Sequence, residues 1–275
     1  MTLTDAQLAE LKDQGFLVLP ELFTSDEVDL LRRRLPALFA DVDPANIVEK
    51  ETGEVRTSMG LHLRDTLYAK LVRHPRLLGP ALQLYAEPLY IQQVKVNVKA
   101  AFSGEVWQWH YDFATHREED GVPRPLALNL HVFLDDVTEF NGPLWFIPRS
   151  HQHGEFIATL DVETTSYPLW VVDDVTVGQL AAENAIVSAT GAKGTGLVFF
   201  DTLLHSSPGN MSPWQRAIFS LIVNPVSNAL TRTGGLFNIV PIIGSFKVGL
   251  DYDEIGVGLA VGSILGLLAV YPAGV

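Results

Sequence analysis

The chain has 275 residues, 47% of them hydrophobic, enough to bury a sizeable core in one large domain or two small ones. With 32 acidic against 19 basic side chains it carries a formal charge of −13, which repels nucleic acid and anionic lipid surfaces and points to a small molecule or a protein as partner. There is no cysteine, which excludes disulfides, thiolate metal sites and cysteine nucleophiles, so any metal must be held by His, Asp or Glu.

The N-terminal stretch MTLTDAQLAELKDQGF has no basic segment followed by an apolar run, so no secretion signal is read and a cytoplasmic location is expected. Leu3, Leu8 and Leu11 fall near helical spacing, and the predicted helix stops at Gly15. FLVLPELF follows as a short apolar strand, and Thr24 with Glu27 three residues on predicts a capping box at the start of a second helix. This unit is expected to pack outside the main sheet, as part of a support region over residues 1–87.

From about residue 88 the texture changes to short β-rich runs: PLYIQQVKVNVKAAF, VWQWHYDF, PLALNLHVFLDDV, GPLWFIPRSH, GTGLVFFDTLLHSS and RAIFSLIVNPVSN. Gly, Pro and Asn-Gly signals separate them, the pattern of a sandwich, barrel or jelly roll over residues 88–230. Between the fourth and fifth runs, residues 157–190 read as a lid or substrate-binding insertion with a helix in DVTVGQLAAENAI. After residue 230 comes an atypical Gly-rich tail, in which Ile255 to Tyr271 carries no charge and four glycines. It is short for a membrane span and has no Lys or Arg on its C-terminal side, so a buried element or a homo-oligomer contact is favoured over membrane contact.

Chemistry concentrates in two of the β-rich runs. In WQWHYDF, His110 and Asp112 are two apart, and on a strand both side chains leave the same face about 7 Å apart. Taken alone, such a pair is most often structural. A third ligand is available from His205, near the end of another apolar run. Two histidines and one carboxylate leave three positions open on a ferrous ion, room for a bidentate cosubstrate and O2 together. The carboxylate at 112 argues against halogenation, which needs that position vacated. Arg216 follows His205 across the SPGNMSPW turn; if the turn joins two adjacent antiparallel strands, the guanidinium returns to the metal mouth, where it suits the far carboxylate of a dicarboxylate such as 2-oxoglutarate.

These residues lie within QQVKVNVKAAF, WHYDFATHREEDGVPRPLALNLHVFLDDVTEFNGPLWFIPRSHQHG and GLVFFDTLLHSSPGNMSPWQRAIFSLIVNPVSN, and with them the chain resembles the phytanoyl-CoA dioxygenase superfamily over roughly residues 3–230. Within it, the similarity is to the branch of ectoine hydroxylase and the free L-amino-acid hydroxylases. The resemblance implies a mainly β fold with flanking helices, a cupin-like double-stranded β-helix. It also implies Fe(II) held by His110, Asp112 and His205, and 2-oxoglutarate held by Arg216 with Asn97, Asn129 and Ser207. Gln93 matches a substrate-facing position of ectoine hydroxylase. His116 stands where these hydroxylases carry Trp, in DFATH, and Arg117 beside it is a candidate for a substrate carboxylate.

The expected function is hydroxylation of an unactivated C–H of a small polar metabolite, an amino acid or its derivative, with O2 consumed and succinate and CO2 released. The same chemistry on a lipid or acyl-CoA is the alternative, weakened by the negative charge, and a silent β-barrel binding protein would need no intact ligand set. Phe113, Trp107 and Trp109 are candidates for a dry wall, without a catalytic role. His151 and His153 are read as structural, and His62, His74 and His131 are left without a partner.

Overall fold

The structure, a computed structural model, describes residues 1–41 and 43–230. The elements are, in chain order, α1 (Asp5–Gln14), β1 (Phe16–Leu19), α2 (Ser25–Arg32), α3 (Leu35–Ala40), β2 (Asn46–Val48), β3 (Val55–Met59), α4 (Leu61–Arg64), α5 (Thr66–Leu71), α6 (Pro75–Tyr85), β4 (Leu89–Lys99), β5 (Trp107–His110), α7 (Asp112–Glu118), β6 (Leu128–Phe133), β7 (Leu144–Phe146), β8 (Ala158–Asp161), β9 (Leu169–Val172), α8 (Asp174–Asn184), β10 (Val187–Ala189), β11 (Gly196–Phe200), β12 (His205–Ser207) and β13 (Arg216–Pro225). Both helix signals hold. Gly15 ends α1 in the left-handed region at φ 87°, and Thr24 and Glu27 cap α2 reciprocally.

Among the described residues, the strands form a seven-stranded antiparallel sheet, β1-β11-β6-β13-β4-β3-β2, and a four-stranded one, β10-β7-β12-β5. The sheets face each other as a jelly roll, the cupin-like double-stranded β-helix that the resemblance implies. The first unit does not stay outside the main sheet: β1 extends it by pairing with β11, and β2 and β3 extend it beyond β4. The free edge of β11 explains this, since unpaired backbone N–H and C=O groups there would cost more than joining a four-residue strand to them.

Period-two alternation assigns the two faces of the large sheet. On β13, Ala217, Phe219, Leu221 and Val223 join the helices α1 to α6 in one core with Leu11, Val28, Leu31, Tyr68 and Leu77. Ile218 points the other way, into a second core between the sheets with Phe133, Phe146, Leu197 and Phe199. Each such buried side chain contributes roughly 1.5–3 kcal/mol. Packing thus makes the large sheet rigid from behind, and side chains on its inner face are held in place.

The insertion at 157–190 contains the expected helix as α8, preceded by the hairpin β8–β9. Tyr167 and Leu169 on this hairpin pack on Trp107 of β5. The tail from residue 231 onward, with its apolar run 255–271, lies outside the described residues. Among the described residues, no helix is long and apolar enough to cross a membrane.

Candidate active site

His110 and His205 meet because β5 and β12 are antiparallel neighbours with these two residues directly opposite, their ring centroids 4.1 Å apart. Asp112 arrives differently from the expected strand geometry. The strand stops at His110, Tyr111 is extended at φ −126°, and Asp112 is the first residue of α7. A continuous strand would leave the two side chains on one face, about 7 Å apart along the backbone. Turning into a helix brings Asp112 Oδ1 to 3.8 Å from His110 Nε2 and 3.9 Å from His205 Nε2.

The three donor atoms lie within 4.8 Å of one another, and each is oriented from behind. His110 Nδ1 is 2.6 Å from Gln108 O and His205 Nδ1 is 2.9 Å from Leu203 O. A carbonyl can only accept, so each Nδ1 carries the proton and each Nε2 presents a lone pair. Asn129 Nδ2 donates to Asp112 Oδ2 at 2.8 Å, leaving Oδ1 for the triad. Burial, with the neighbouring His205, pushes the His110 imidazole down to about 3, and burial also lowers His205. Burial pushes the Asp112 carboxyl up, but His205 and His110 more than reverse this and hold it well below the usual carboxylate range. Two neutral imidazoles and one carboxylate fit a divalent first-row ion such as Fe(II), with one face left open.

The donors open into a cavity of about 470 Å³, its mouth included, between the two sheets. Trp107, Leu144, Phe199 and Ile218 form its apolar walls, while Lys95, Asn97, Asn129, His131, Ser207 and Arg216 supply polar ones. Arg216 does not return along an adjacent strand. His205 belongs to β12 in the small sheet and Arg216 to β13 in the large one, so the SPGNMSPW segment crosses between sheets. The guanidinium, 2% exposed, donates from Nε and Nη2 to Gly142 O at 3.0 and 2.7 Å, and from Nη2 to Ser207 Oγ at 3.1 Å. Glycine suits position 142, because φ is 78° and a Cβ there would stand 2.9 Å from the backbone oxygen of Pro208. Burial, with the nearby charge of Arg56, lowers Arg216 to about 9.

Lys99, which the sequence reading passed over, is the register partner of Arg216 across β4 and β13 and is also buried. Burial and the cations Arg216 and Arg56 push its ammonium well below the usual lysine range. Lys95, on the same face of β4, is another residue that reading missed; its Nζ lies 5.8 Å from the Trp107 ring centroid. His131 gains a partner too, with Nε2 2.8 Å from Ser220 Oγ.

Asn97, Asn129, Ser207 and Arg216 share the cavity with the triad, although Ser207 is already bonded to Gly142 O and Asn129 to Asp112. Gln93, His116 and Arg117 do not line it. Gln93 is buried on β4, with its side chain near Tyr167. His116 is buried on α7, with Nδ1 3.7 Å from Asp201 Oδ2, and burial raises Asp201 to about 6. Arg117 is 41% exposed and pairs with Glu118 and Glu155. Of the three aromatic candidates only Trp107 reaches the cavity, Trp109 and Phe113 packing in a separate core. His151 stacks on Phe200, consistent with a structural role.

This fold and this site define an iron(II)- and 2-oxoglutarate-dependent dioxygenase. The chain belongs to the phytanoyl-CoA dioxygenase (PhyH) family, which matches residues 11–218. It is 36% identical over 242 residues to an L-proline trans-4-hydroxylase from Streptomyces griseoviridis, covering 82% of this chain and 88% of that one. It is 35% identical over 244 residues to an ectoine dioxygenase from Sphingopyxis alaskensis, covering 84% and 78%. The crystal structure of EctD from S. alaskensis with 2-oxoglutarate and 5-hydroxyectoine superimposes with a TM-score of 0.75 at 34% identity, covering 85% of this chain and 80% of that chain.

Proposed function

We propose that this protein hydroxylates a free amino acid or a compact amino-acid derivative, with iron held by His110, Asp112 and His205 and the far carboxylate of 2-oxoglutarate received by Arg216. The observation that carries the reading is that one small cavity holds the three donor atoms, the buried cation Arg216 at one end and the cation Lys95 in its wall. Arg216 is buried and its bonds to Gly142 O and Ser207 Oγ go to neutral acceptors, so its charge favours an anion beside it. Lys95 suits a second anion, the carboxylate of an amino acid. The chain's charge of −13 suits a small substrate better than an acyl-CoA, whose phosphates want a basic groove. Two relatives whose names give proline and ectoine as substrates support the same class.

When bound, the ferrous ion with 2-oxoglutarate and O2 supplies the oxidant that replaces a substrate hydrogen by hydroxyl, with succinate and CO2 as coproducts. The chain's own residues do the positioning. His110 and His205 offer Nε2 in fixed tautomers, and Asn129 turns the Asp112 carboxylate so that one oxygen faces inward. The Arg216 fork orients the cosubstrate, and Lys95 fixes the substrate carboxylate so that one C–H faces the metal. Trp107, Phe199, Leu144 and Ile218 exclude water from the reacting atoms.

The test is an anaerobic screen in which L-proline, L-leucine, ectoine, N-acyl amino acids and acyl-CoAs are added to the protein with Fe(II) and 2-oxoglutarate, and the metal-to-ligand charge-transfer band is followed. An amino acid or cyclic derivative is expected to shift the band and, once O2 is admitted, to couple succinate release to product, with coupling lost in His110→Ala and Asp112→Ala. Undiminished turnover in those variants, or a response to acyl-CoAs alone, would overturn the reading.

A further inference from the structure

His131 is buried on the inner face of β6, two residues beyond Asn129, and has no place in the chemistry so far. Its surroundings form a line of polar contacts that ends on the metal site. Asn129 Nδ2 donates to Asp112 Oδ2 at 2.8 Å. The amide oxygen Oδ1 therefore faces the other way, 3.3 Å from His131 Nε2. The same nitrogen lies 2.8 Å from Ser220 Oγ on β13, directly across the ladder from His131. Asn129, His131 and Ser220 are 1%, 5% and 0% exposed, so solvent does not compete for these bonds.

An asparagine amide has almost the same shape after a half-turn about its last bond, so only its partners decide which end is which. Here the choice matters. A turned Asn129 would set Oδ1 against the Asp112 carboxylate, replacing a hydrogen bond by the repulsion of two acceptors. Asp112 would then be free to rotate and present its oxygens differently to the imidazoles.

We propose that His131, keyed by Ser220, is a positioning residue that fixes the Asn129 amide and, through it, the orientation of the Asp112 carboxylate in the iron site. The inference rests on Asp112 being a ligand of the iron. For the relay to work, the single proton of a neutral imidazole must sit on Nε2, donating to Asn129 Oδ1 and sharing Ser220 Oγ as acceptor. The remaining nitrogen, Nδ1, is buried without a hydrogen-bond partner and the ring stands edge-on to Phe199, where a bare lone pair is tolerated more readily than an unpaired N–H. Burial, together with the charge of Lys95, keeps the ring neutral by lowering it to about 3.

The experiment is a titration of the full chain with Co(II) alone, followed by its visible absorption, so that no turnover is needed. His131→Leu is expected to weaken Co(II) binding roughly tenfold, the lower end of what loss of a group behind a metal ligand costs. His131→Gln, whose amide N–H can take the place of Nε2–H, is expected to recover most of that loss. Asn129→Leu should weaken binding as well, and adding His131→Leu to it should cost nothing more, because the relay already ends at Asn129. Full additivity of the two, or unchanged Co(II) affinity in a folded His131→Leu chain, overturns the proposal. Should His131→Leu fail to fold, Ser220→Ala is measured instead: weaker Co(II) binding supports the relay, and unchanged binding overturns it. Failure of the unmutated chain to bind Co(II), or binding that survives Asp112→Ala, overturns the iron site itself and the relay with it. Intact binding indifferent to His131 overturns the relay alone.

Discussion

Arg216 and Ser207 stand on different sheets, yet the Arg216 Nη2 atom donates to the Ser207 hydroxyl at 3.1 Å and both side chains converge on Gly142 O. The guanidinium is thus held by a turn and by a strand of the opposite sheet before any cosubstrate arrives. Arg216→Lys keeps the charge but loses the planar fork and its bond to Ser207. The expected result is a rise in KM for 2-oxoglutarate of roughly 10–100-fold, the value of a charge-assisted bond, with affinity for the metal retained. Steady-state succinate release at varied 2-oxoglutarate measures it, and an unmoved KM would contradict the assignment.

Lys95 is predicted to act on the other ligand. Lys95→Met preserves the length and apolar stem of the side chain beside Trp107 while removing the charge. The substrate KM should rise by roughly 10–100-fold, the loss expected for one charged hydrogen bond, while KM for 2-oxoglutarate stays put. Succinate formation uncoupled from product should persist. Equal loss of both reactions would mean that Lys95 serves the cosubstrate instead.

The triad and Arg216 were legible because their chemistry is local in type: two imidazoles, a carboxylate and a fork at recognisable spacings in β-rich runs. The route by which they meet was not. An aromatic stretch such as WQWHYDF gives no sign that the strand ends at His110, and the turn after His205 reads like a hairpin although it changes sheets. A signal for the missed residues was present in QQVKVNVK, where Gln93, Lys95, Asn97 and Lys99 alternate with Val94, Val96 and Val98. In a strand buried on both faces, polar residues at period two mark a wet interior. His116 and Arg117 are the converse case: His116 was placed by resemblance and Arg117 by standing beside it, and on α7 neither lines the cavity. The joining of β1 to β11 depends on which edge is left open, a property of the whole sheet rather than of FLVL.

Glu105 ties the β8–β9 hairpin to the cavity wall. Its carboxylate accepts from Ser166 N at 2.7 Å, Ser166 Oγ at 3.0 Å and Lys50 N at 3.0 Å, and pairs with Arg56 at 3.0 Å. Arg56, 1% exposed, lies over the Trp107 ring at 4.1 Å. Glu105→Gln retains an acceptor for Ser166 but leaves the buried guanidinium with Glu49 as its remaining acidic partner in the cluster, at 3.7 Å. A loss of about 1–3 kcal/mol in unfolding free energy is expected from urea denaturation, the cost of an incompletely paired buried charge. Limited proteolysis should cut faster within residues 158–172, and equal rates in both proteins would argue that the hairpin is held by packing alone.

His62 gives a pH prediction away from the metal site. Burial, with the charge of Arg73 adding to it, lowers this imidazole from 6.5 to about 4, and its Nδ1 is buried without a hydrogen-bond partner. In the unfolded chain the ring takes up a proton near pH 6.5, whereas in the folded chain it resists until about pH 4. The unfolded state therefore binds more protons in that window, and the contribution of His62, present in full above the upper value, is lost as pH falls towards the lower one. His62→Phe keeps a flat ring without the titration. Its unfolding free energy should fall less steeply than that of the unmutated chain as the pH is lowered, the gap reaching on the order of 1–3 kcal/mol at the acid end. Parallel curves over the window would show that His62 is hydrated enough in the folded protein to accept its proton freely.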